Sequence, residues 1–530
     1  MNCYEESAAL PGNKRILAAC YLVVVGFLLL FFASRSSFFY PCNDWNDANS
    51  YFSVGKALFN GKMPYRDVFD QKGMYLYFLY GLAYLVSHTT FAGVFLLEGI
   101  LAAFDLFGIC RILMLYVKRG TALVLSPLVL AVIISSRSFY WGGSAEEVCF
   151  PFLVWGLYLV MNYFKNQYPE EAMSGRKIFI GGLLAGMVAN IKFTVLGFFF
   201  AWMMCVFFSF LVRKEFMKGI KSCFIFLGGM ALPFLPWVIY FALGHGLYEW
   251  YWGYVYINVF VYSNLNGEGP TLFERTYTLS KLLYWLIRAN IIYFIFLIPG
   301  MIWVIMGKKK KWLERFLPLA LSFFLFLGIY VGGSELPYYA LPLAVFTVFG
   351  FALIGRVLEW GAGKASRQSG QQRARRGESD RGIRSNSVGS LAVLAALASC
   401  TALLGIGIIW TNSMNIPHRL EKKEDIFLYK FKEIVEETPN PTLLNIGCLD
   451  AGLYTVCDIV PTCRWFQTQT LAIDEVEKEQ ERYIREGQID YVLARDYYPE
   501  VIWDRYELVA QAPWYQGELE FTYYLFRRMD

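Results

Sequence analysis

The chain has 530 residues, of which 56% are hydrophobic and only 17% charged, with a formal net charge of +5. Soluble globular proteins carry about 25% charged residues. Three histidines, and 11 cysteines without a Cys-x-x-Cys pair, argue against a multi-histidine metal site, a zinc ribbon and a disulfide framework. The apolar residues form blocks of about 18 residues or more, the length that crosses a bilayer core. Composition therefore predicts an α-helical polytopic membrane protein and gives no indication of nucleic-acid binding.

Basic clusters set the predicted topology, because Lys and Arg accumulate in cytoplasmic loops. The clusters lie around Lys118, Arg176, Arg213 and Lys308, and along residues 356–384. With all of them inside, the sequence predicts about eleven spans in a cell membrane, with the N-terminus inside and the C-terminus outside. The predicted spans are 16–33, 94–116, 121–136, 148–164, 178–191, 193–212, 222–243, 282–306, 316–332, 337–355 and 391–410.

The apolar stretch Met74–Val86 is not counted as a span. It has only 13 residues, and counting it would move the basic clusters at Lys118, Arg176 and Arg213 outside. A stretch this short suits a re-entrant or interfacial segment. We therefore expect a helix in the outer half of the membrane.

Four domains follow from these patterns. Residues 1–355 form the membrane domain, and 391–410 form a last transmembrane helix. Residues 356–390 are basic and poor in large apolar residues, so we expect a disordered cytoplasmic linker. Residues 411–530 have ordinary soluble composition and are predicted to form a small extracytoplasmic domain.

This C-terminal segment alternates predicted strands with a charged helix, which favours an α/β domain. The strands are expected at 442–446, 491–494, 506–510 and 521–526, and the helix at 473–486. The turn Gly447–Gly452 could cradle a phosphate, although glycine-rich turns between strand and helix are common without a ligand. A disulfide among Cys448, Cys457 and Cys463 stays open.

The first predicted outer loop carries the strongest chemical signal. Asp44 and Asp47 follow a span directly, and residues 47–59 form an amphipathic stretch with Asp47 near its start. We expect this helix to lie along the membrane surface. Carboxylates at the bilayer edge are costly to desolvate, so they usually have a task or a cation. The alternative is a solvated loop with capping acids.

The loop continues with Gly-Lys-Met-Pro-Tyr-Arg-Asp at 61–67 and Asp-Gln-Lys-Gly at 70–73. Together with the preceding acid and aromatic helix, these motifs resemble the bacterial membrane glycosyltransferases of the C-type fold, relatives of protein O-mannosyltransferases and of the lipid A aminoarabinose transferase. The resemblance covers residues 10–360 and is sharpest over 44–80. It implies a C-type glycosyltransferase fold and transfer of a sugar from a polyprenyl-phosphate donor on the outer face.

The resemblance also implies site residues. Asp47 corresponds to the essential acid of the first loop, with Asp44 as the alternative. Glu146 or Glu147 takes the place of an acid in the second outer loop that faces the first. Lys192, after the fifth span, matches a lysine that meets the lipid phosphate.

Lys72 matches the lysine of the Asp-x-Lys segment, and Asp70 belongs to the same predicted substrate site. This chain departs from the family's usual pattern in two respects. Gln71 and Met74 stand where relatives often have His and Pro, and Tyr338-Tyr339 stands where they often have His-Tyr.

Residue chemistry agrees with sugar transfer from a lipid phosphate. A carboxylate at the water edge can take the proton of the acceptor hydroxyl, and the leaving phosphate needs positive charge. Lys72, Arg66 and Lys192 are the candidate cations, although Lys192 also suits a snorkelling residue at a span end. The predicted partners are a polyprenyl-phosphate sugar, a lipid, glycan or protein acceptor, and membrane lipids. No cofactor is certain, and a divalent cation stays open.

A transporter or lipid-linked-sugar carrier without covalent chemistry is the alternative. Transporters usually place paired charges near the midplane and show inverted repeats, and the sequence shows no such repeat. Asp105, in mid-span, is the residue that favours transport. Convergence of Asp47 and Glu146 would favour the enzyme, whereas Asp105 on a through-going path would favour the transporter.

Overall fold

The computed structural model describes residues 12–261, 272–307, 311–332, 335–375, 387–470, 473–516 and 519–529. Most of them are helical. The α-helices are α1 Gly12–Ala33, α2 Asn46–Phe59, α3 Met74–Val86, α4 Ala92–Met114, α5 Arg119–Ile134, α6 Ala145–Asn166, α7 Gly175–Ala189, α8 Gly197–Val212, α9 Phe216–Ala231, α10 Leu235–Leu243, α11 Leu247–Trp250, α12 Leu272–Ala289, α13 Ile291–Met306, α14 Trp312–Tyr330, α15 Val348–Arg375, α16 Ser387–Asn412, α17 Phe427–Val435, α18 Leu453–Val456 and α19 Asp474–Glu486. Tighter helical turns include Phe193–Leu196 and Pro337–Thr347, and a wider π-helix runs over Tyr251–Val261.

Among the described residues, eight helical segments are long and apolar enough to cross a membrane. They coincide with eight of the eleven predicted spans. Two further predicted spans, 121–136 and 178–191, are helices α5 and α7 of 16 and 15 residues. At about 1.5 Å per residue, helices of this length fall short of a bilayer core of about 30 Å.

The predicted span 282–306 is not one straight helix. Helices α12 and α13 meet there at an angle of 110°. Asn290 stands at the break, where its side chain donates to Leu286 O and accepts from the backbone N–H of Ser138 at 2.9 Å. Helix α12 also carries charged residues along its length, which disfavours immersion in a bilayer core.

Helix α3 forms over Met74–Val86, as predicted, and packs against α2. The approach is close, since a Cβ added to Gly55 would lie 2.6 Å from the backbone N of Gly81. The expectation that α2 lies along the membrane surface stays a prediction. Most residues of α2 are buried between α3 and the C-terminal domain, whose side chains satisfy its polar face.

Within the predicted linker 356–390, helix α15 continues through Arg375. Its Arg, Gln, Ala and Glu residues are favourable helix formers. Residues 387–390 begin α16. Residues 376–386, the centre of the predicted linker, lie outside the described part of the chain.

The C-terminal domain is built on a four-stranded sheet, which confirms the predicted α/β architecture. Its strands are β1 Leu443–Ile446, β2 Tyr491–Arg495, β3 Tyr506–Gln516 and β4 Leu519–Arg528, in the order β1-β2-β4-β3. Strands β1 and β2 are parallel, whereas β4 pairs antiparallel with both β2 and β3. The described cysteines of this domain are free thiols.

The turn after β1 does not form an open phosphate cradle. Gly447 and Gly452 have φ of +73° and +106°, so both need the conformational freedom of glycine. The Asp450 carboxylate fills the turn, accepting from the N–H of Gly452 at 2.8 Å and from the Ser53 hydroxyl at 2.6 Å. A phosphate there would displace Asp450 from its own donors.

Candidate active site

The Asp47 carboxylate lies at the start of α2 and is oriented by two phenols. Tyr338 donates a 2.6 Å hydrogen bond to Asp47 Oδ2, and Tyr51, one helical turn along α2, donates to the same oxygen at 3.3 Å. The Trp45 ring packs 4.8 Å from the Tyr338 ring. Asp47 itself is half-buried, so its carboxylate is held in place while part of it stays accessible.

Asp44, the alternative acid, has a different environment. Its Oδ1 lies 2.8 Å from Arg35 Nη1, in an ion pair buried on both sides. Trp514 of strand β3 donates to its Oδ2 at 2.8 Å. Both carboxylate oxygens are thus engaged by protein donors, and Asp44 joins the first loop to the C-terminal domain.

The cap of α6 separates the two glutamates of the second loop. The Ser144 side chain accepts from the N–H of Glu147 at 3.0 Å, and this N-cap fixes the first turn. Neighbours on a helix point about 100° apart, so the two carboxylates diverge. Glu147 accepts from the N–H of Gly143 at 2.8 Å, whereas Glu146 is ion-paired with Lys192.

Lys192 occupies the break between α7 and the turn at 193–196. It is buried, and its Nζ lies 3.5 Å from the centre of the Tyr339 ring. Its Nζ also lies 5.6 Å from the centre of the Tyr338 ring, whose hydroxyl donates to Asp47. The structure therefore brings Asp47, Glu146 and Lys192 into one site.

Gly73 sets the position of the Lys72 segment. Its N–H donates to Ile191 O at 3.2 Å, and an added Cβ would lie 2.0 Å from Asn190 O. This backbone contact places residues 70–73 directly against the Lys192 segment. Asp70 is buried there and accepts from Tyr77 at 2.8 Å. Burial raises the pKa of Asp70, and the neighbouring Lys72 opposes that rise.

Two of the predicted residues are directed elsewhere. Arg66 is exposed, pairs with Asp67 at 2.8 Å and donates to Gly244 O at 2.9 Å. Its guanidinium therefore faces the end of α10. Glu147 turns toward Gly143. The structure thus offers Lys72 and Lys192, but not Arg66, as the cations of this site.

Sequence reasoning missed Tyr51 and Tyr338 as partners of Asp47. The spacing of Tyr51, four residues after Asp47, is a signal for a shared helix face. Tyr338 lies 291 residues away from Asp47 in the chain, and only its place in the family motif drew attention to it. Within the described ranges there is no group of three or more His, Cys, Asp or Glu residues arranged to hold a metal ion.

The spans, the short apolar helix α3 and the C-terminal sheet domain define a polytopic membrane protein with the C-type glycosyltransferase fold. The structure is similar to that of ArnT from Cupriavidus metallidurans bound to undecaprenyl phosphate, with a TM-score of 0.57 and 12% identity over 97% of this chain and 98% of ArnT. ArnT in the apo state gives a TM-score of 0.58, also at 12% identity, with 97% of each chain covered.

The Archaeoglobus fulgidus oligosaccharyltransferase in complex with Zn and sulfate matches at a TM-score of 0.45 and 12% identity, over 89% of this chain and 67% of its own. No protein-family model and no curated protein sequence matches this chain.

Proposed function

We propose that this protein is a membrane glycosyltransferase that moves a sugar from a polyprenyl-phosphate donor to a hydroxyl of a lipid, glycan or protein acceptor. Asp47 is the general base in this proposal. The observation that carries it is that the oriented carboxylate of Asp47 and the ammonium of Lys192 meet at Tyr338, with the Lys72 segment packed against the residues before Lys192. These are the two kinds of group that the reaction needs.

The likeness to ArnT supports this assignment from a separate direction. ArnT has been solved bound to undecaprenyl phosphate, and the likeness extends over nearly all of both chains. At 12% identity this likeness concerns the fold. The chemical argument therefore rests on the residues of this chain.

The proposed reaction is a single displacement with inversion at the anomeric carbon. The acceptor oxygen forms a bond to that carbon as the bond to the phosphate oxygen breaks. The acceptor proton passes to Asp47, and the polyprenyl phosphate leaves with the bonding electrons. Lys192 and Lys72 stabilise the negative charge that develops on the leaving group, an effect that is strong where water is excluded.

Glu146 supports this site through Lys192. Its Oε1 forms the ion pair, while Oε2 is buried and has no hydrogen-bond donor among the described residues. Buried carboxylate oxygens normally have a donor. In this proposal a hydroxyl of the bound sugar supplies it, so that Glu146 both holds Lys192 and contacts the donor sugar.

Asp105 is the residue that motivated the transport alternative. It is buried inside α4, and the charge that acts on it is that of Glu147, which faces away from the Asp47 site. The convergence of Asp47 and Glu146 on Lys192 supports the enzyme instead.

The test is a transfer assay with the full chain reconstituted in lipid vesicles and a radiolabelled polyprenyl-phosphate sugar. We expect label to become covalently attached to an acceptor in the wild-type vesicles and not in vesicles with Asp47→Asn. Label that crosses the membrane while still attached to its carrier, equally in both samples, would show transport instead.

We also place the site on the outer face of the cell membrane, because the basic clusters mark the opposite side. A reporter that is active only in the outer compartment should be active when fused after Asp530 and silent when fused after Lys311. The reverse pattern would overturn this orientation.

A further inference from the structure

A cavity lies on the side of helix α2 that faces away from Asp47. Its volume is about 310 Å³, near the lower end of the range of about 300–1,000 Å³ for small-ligand sites. It is lined by the segment after α1, by the connection between α3 and α4, by the segment after α16, and by α17 and the α18 region of the C-terminal domain. Asn49 of α2 also lines it, two residues after Asp47 and so on the opposite face of the helix.

This cavity lies at the ends of three apolar helices, and the ends of transmembrane helices lie at the depth of lipid headgroups. Helix α1 ends at Ala33, α4 begins at Ala92 and α16 ends at Asn412. The end of α1 and the segment after α16 lie together, since Asn415 donates to Ala33 O at 2.7 Å. Three apolar spans therefore terminate around one polar cavity.

The lining is rich in positive charge. Arg35, Arg419 and Lys423 line the cavity together with one acid, Glu421. The ion-pair partners of Arg35 are Asp44 at 2.8 Å and Glu421 at 3.5 Å.

Two of the three cations have no acidic partner. Arg419 donates to the backbone O of Ile416 and stacks on Trp410, and Lys423 lies over the ring of Tyr429. Neither forms an ion pair with a carboxylate in the part of the chain that the structure describes. Both residues border the same cavity.

One lining residue also carries an unsatisfied buried donor. Arg35 is only 1% exposed, and its Nε has no hydrogen-bond acceptor among the described residues. An unpaired buried donor costs about 1–3 kcal/mol. Hydroxyls of Ser36 and Thr90 border the same space, so the cavity presents donors that match an oxyanion.

Large apolar side chains stand exposed close to this cavity. Phe38, which lines it, is 74% exposed, and Leu420, between two lining residues, is 73% exposed. Apolar side chains beside a cationic, hydroxyl-lined cavity at the ends of spans suit a ligand with an anionic head and an apolar tail.

We propose that this cavity binds the phosphoryl headgroup of an anionic phospholipid, with its acyl chains against the exposed apolar residues at the span ends. Arg419 and Lys423 contact the phosphoryl oxygens. This site is separate from the proposed donor site, because α2 stands between them.

The experiment uses the purified full chain in detergent, without any sugar donor, so its result does not depend on the proposed transferase activity. The protein is titrated with dihexanoyl phosphatidylglycerol, with dihexanoyl phosphatidylcholine and with glycerol 3-phosphate, and the melting temperature is followed. A ligand that binds only the folded state raises this temperature. We expect a saturable rise with phosphatidylglycerol and a much smaller rise with the other two.

The double variant Arg419→Gln with Lys423→Gln should bind phosphatidylglycerol at least about ten-fold more weakly, since one charge-assisted hydrogen bond is worth a factor of about ten or more. The matched control, Lys422→Gln with Lys430→Gln, removes the same charge from the same segment outside the cavity lining and should bind as the wild type does. Lys423 is exposed, so Lys423→Gln alone serves if the double variant does not fold.

Three results would overturn the proposal. Equal binding of phosphatidylcholine would show that the anionic head is not recognised. Equal binding of glycerol 3-phosphate would mark a free phosphate site. Unchanged affinity in the cavity variant, or equal loss in the control, would place the binding elsewhere.

Discussion

Replacing Asp47 by asparagine tests the proposed base directly. The amide oxygen of Asn can still accept from Tyr338, which donates at 2.6 Å, and from Tyr51 at 3.3 Å. Position and packing are therefore nearly preserved, and what is lost is the ability to accept a proton. General-base loss typically costs about 10²–10⁴ in rate, which corresponds to about 2.7–5.4 kcal/mol in the activation free energy.

The assay is sugar transfer by reconstituted protein at saturating donor, normalised to the amount of folded protein. Asp67→Asn is the matched control. It removes the same charge from the same loop, but Asp67 pairs with the exposed Arg66 at 2.8 Å, and exposed pairs contribute only about 0–1 kcal/mol. Transfer by this control should stay close to that of the wild type.

Asp44→Asn should behave differently from both variants. It leaves Arg35 without its buried partner, and breaking a buried ion pair costs about 3–5 kcal/mol of stability. We expect a lower melting temperature, with transfer per folded molecule much less affected than in Asp47→Asn. If Asp44→Asn is inactive while folded and Asp47→Asn transfers normally, Asp44 is the base. If both transfer normally, the first loop is not catalytic and the reasoning fails.

Three further expectations follow from buried charges. Lys192→Met should lower both the affinity for the donor and the melting temperature. The double variant Lys192→Met with Glu146→Gln should recover the melting temperature but not the donor affinity. Lys56→Met removes an ion pair with Asp458 at 3.0 Å and should lower the melting temperature, because the C-terminal domain is then held less tightly. Limited proteolysis would detect this loosening, and an unchanged rate of proteolysis would refute the role of Lys56. Burial raises the pKa of Asp450, so the stability that its protonated form contributes is lost as pH rises from the ordinary Asp pKa of about 4 through the raised value. Asp450→Asn should flatten the decline in melting temperature over that interval, and an equally steep decline would count against it.

The sequence by itself predicts the parts of this protein that depend on local pattern. Apolar blocks locate eight spans because the bilayer imposes a length and a polarity on each segment. Alternating apolar residues locate the strands and helix of the C-terminal domain. The motif around Asp47 indicates a class of chemistry because those residues lie close together along the chain.

The choice among neighbouring acids depends on contacts that no local pattern contains. Trp514, which engages Asp44, is 470 residues away from it, and Tyr338, which orients Asp47, is 291 residues away. Glu146 and Glu147 are adjacent in sequence and differ only in helical phase, which the Ser144 cap fixes. Only the tertiary structure brings such partners together, because a side chain's environment is set by whichever elements pack around it.

The same reason explains two features of the fold. Residues 282–306 are apolar enough for a span, yet the helix is bent at Asn290, whose side chain accepts a hydrogen bond from the distant Ser138. Helix α2 has the amphipathic pattern of a surface helix, yet the C-terminal domain covers its polar face through contacts such as that of Ser53 with Asp450. A polar helix face looks the same in sequence whether water or protein satisfies it, and the tertiary structure decides which of them does.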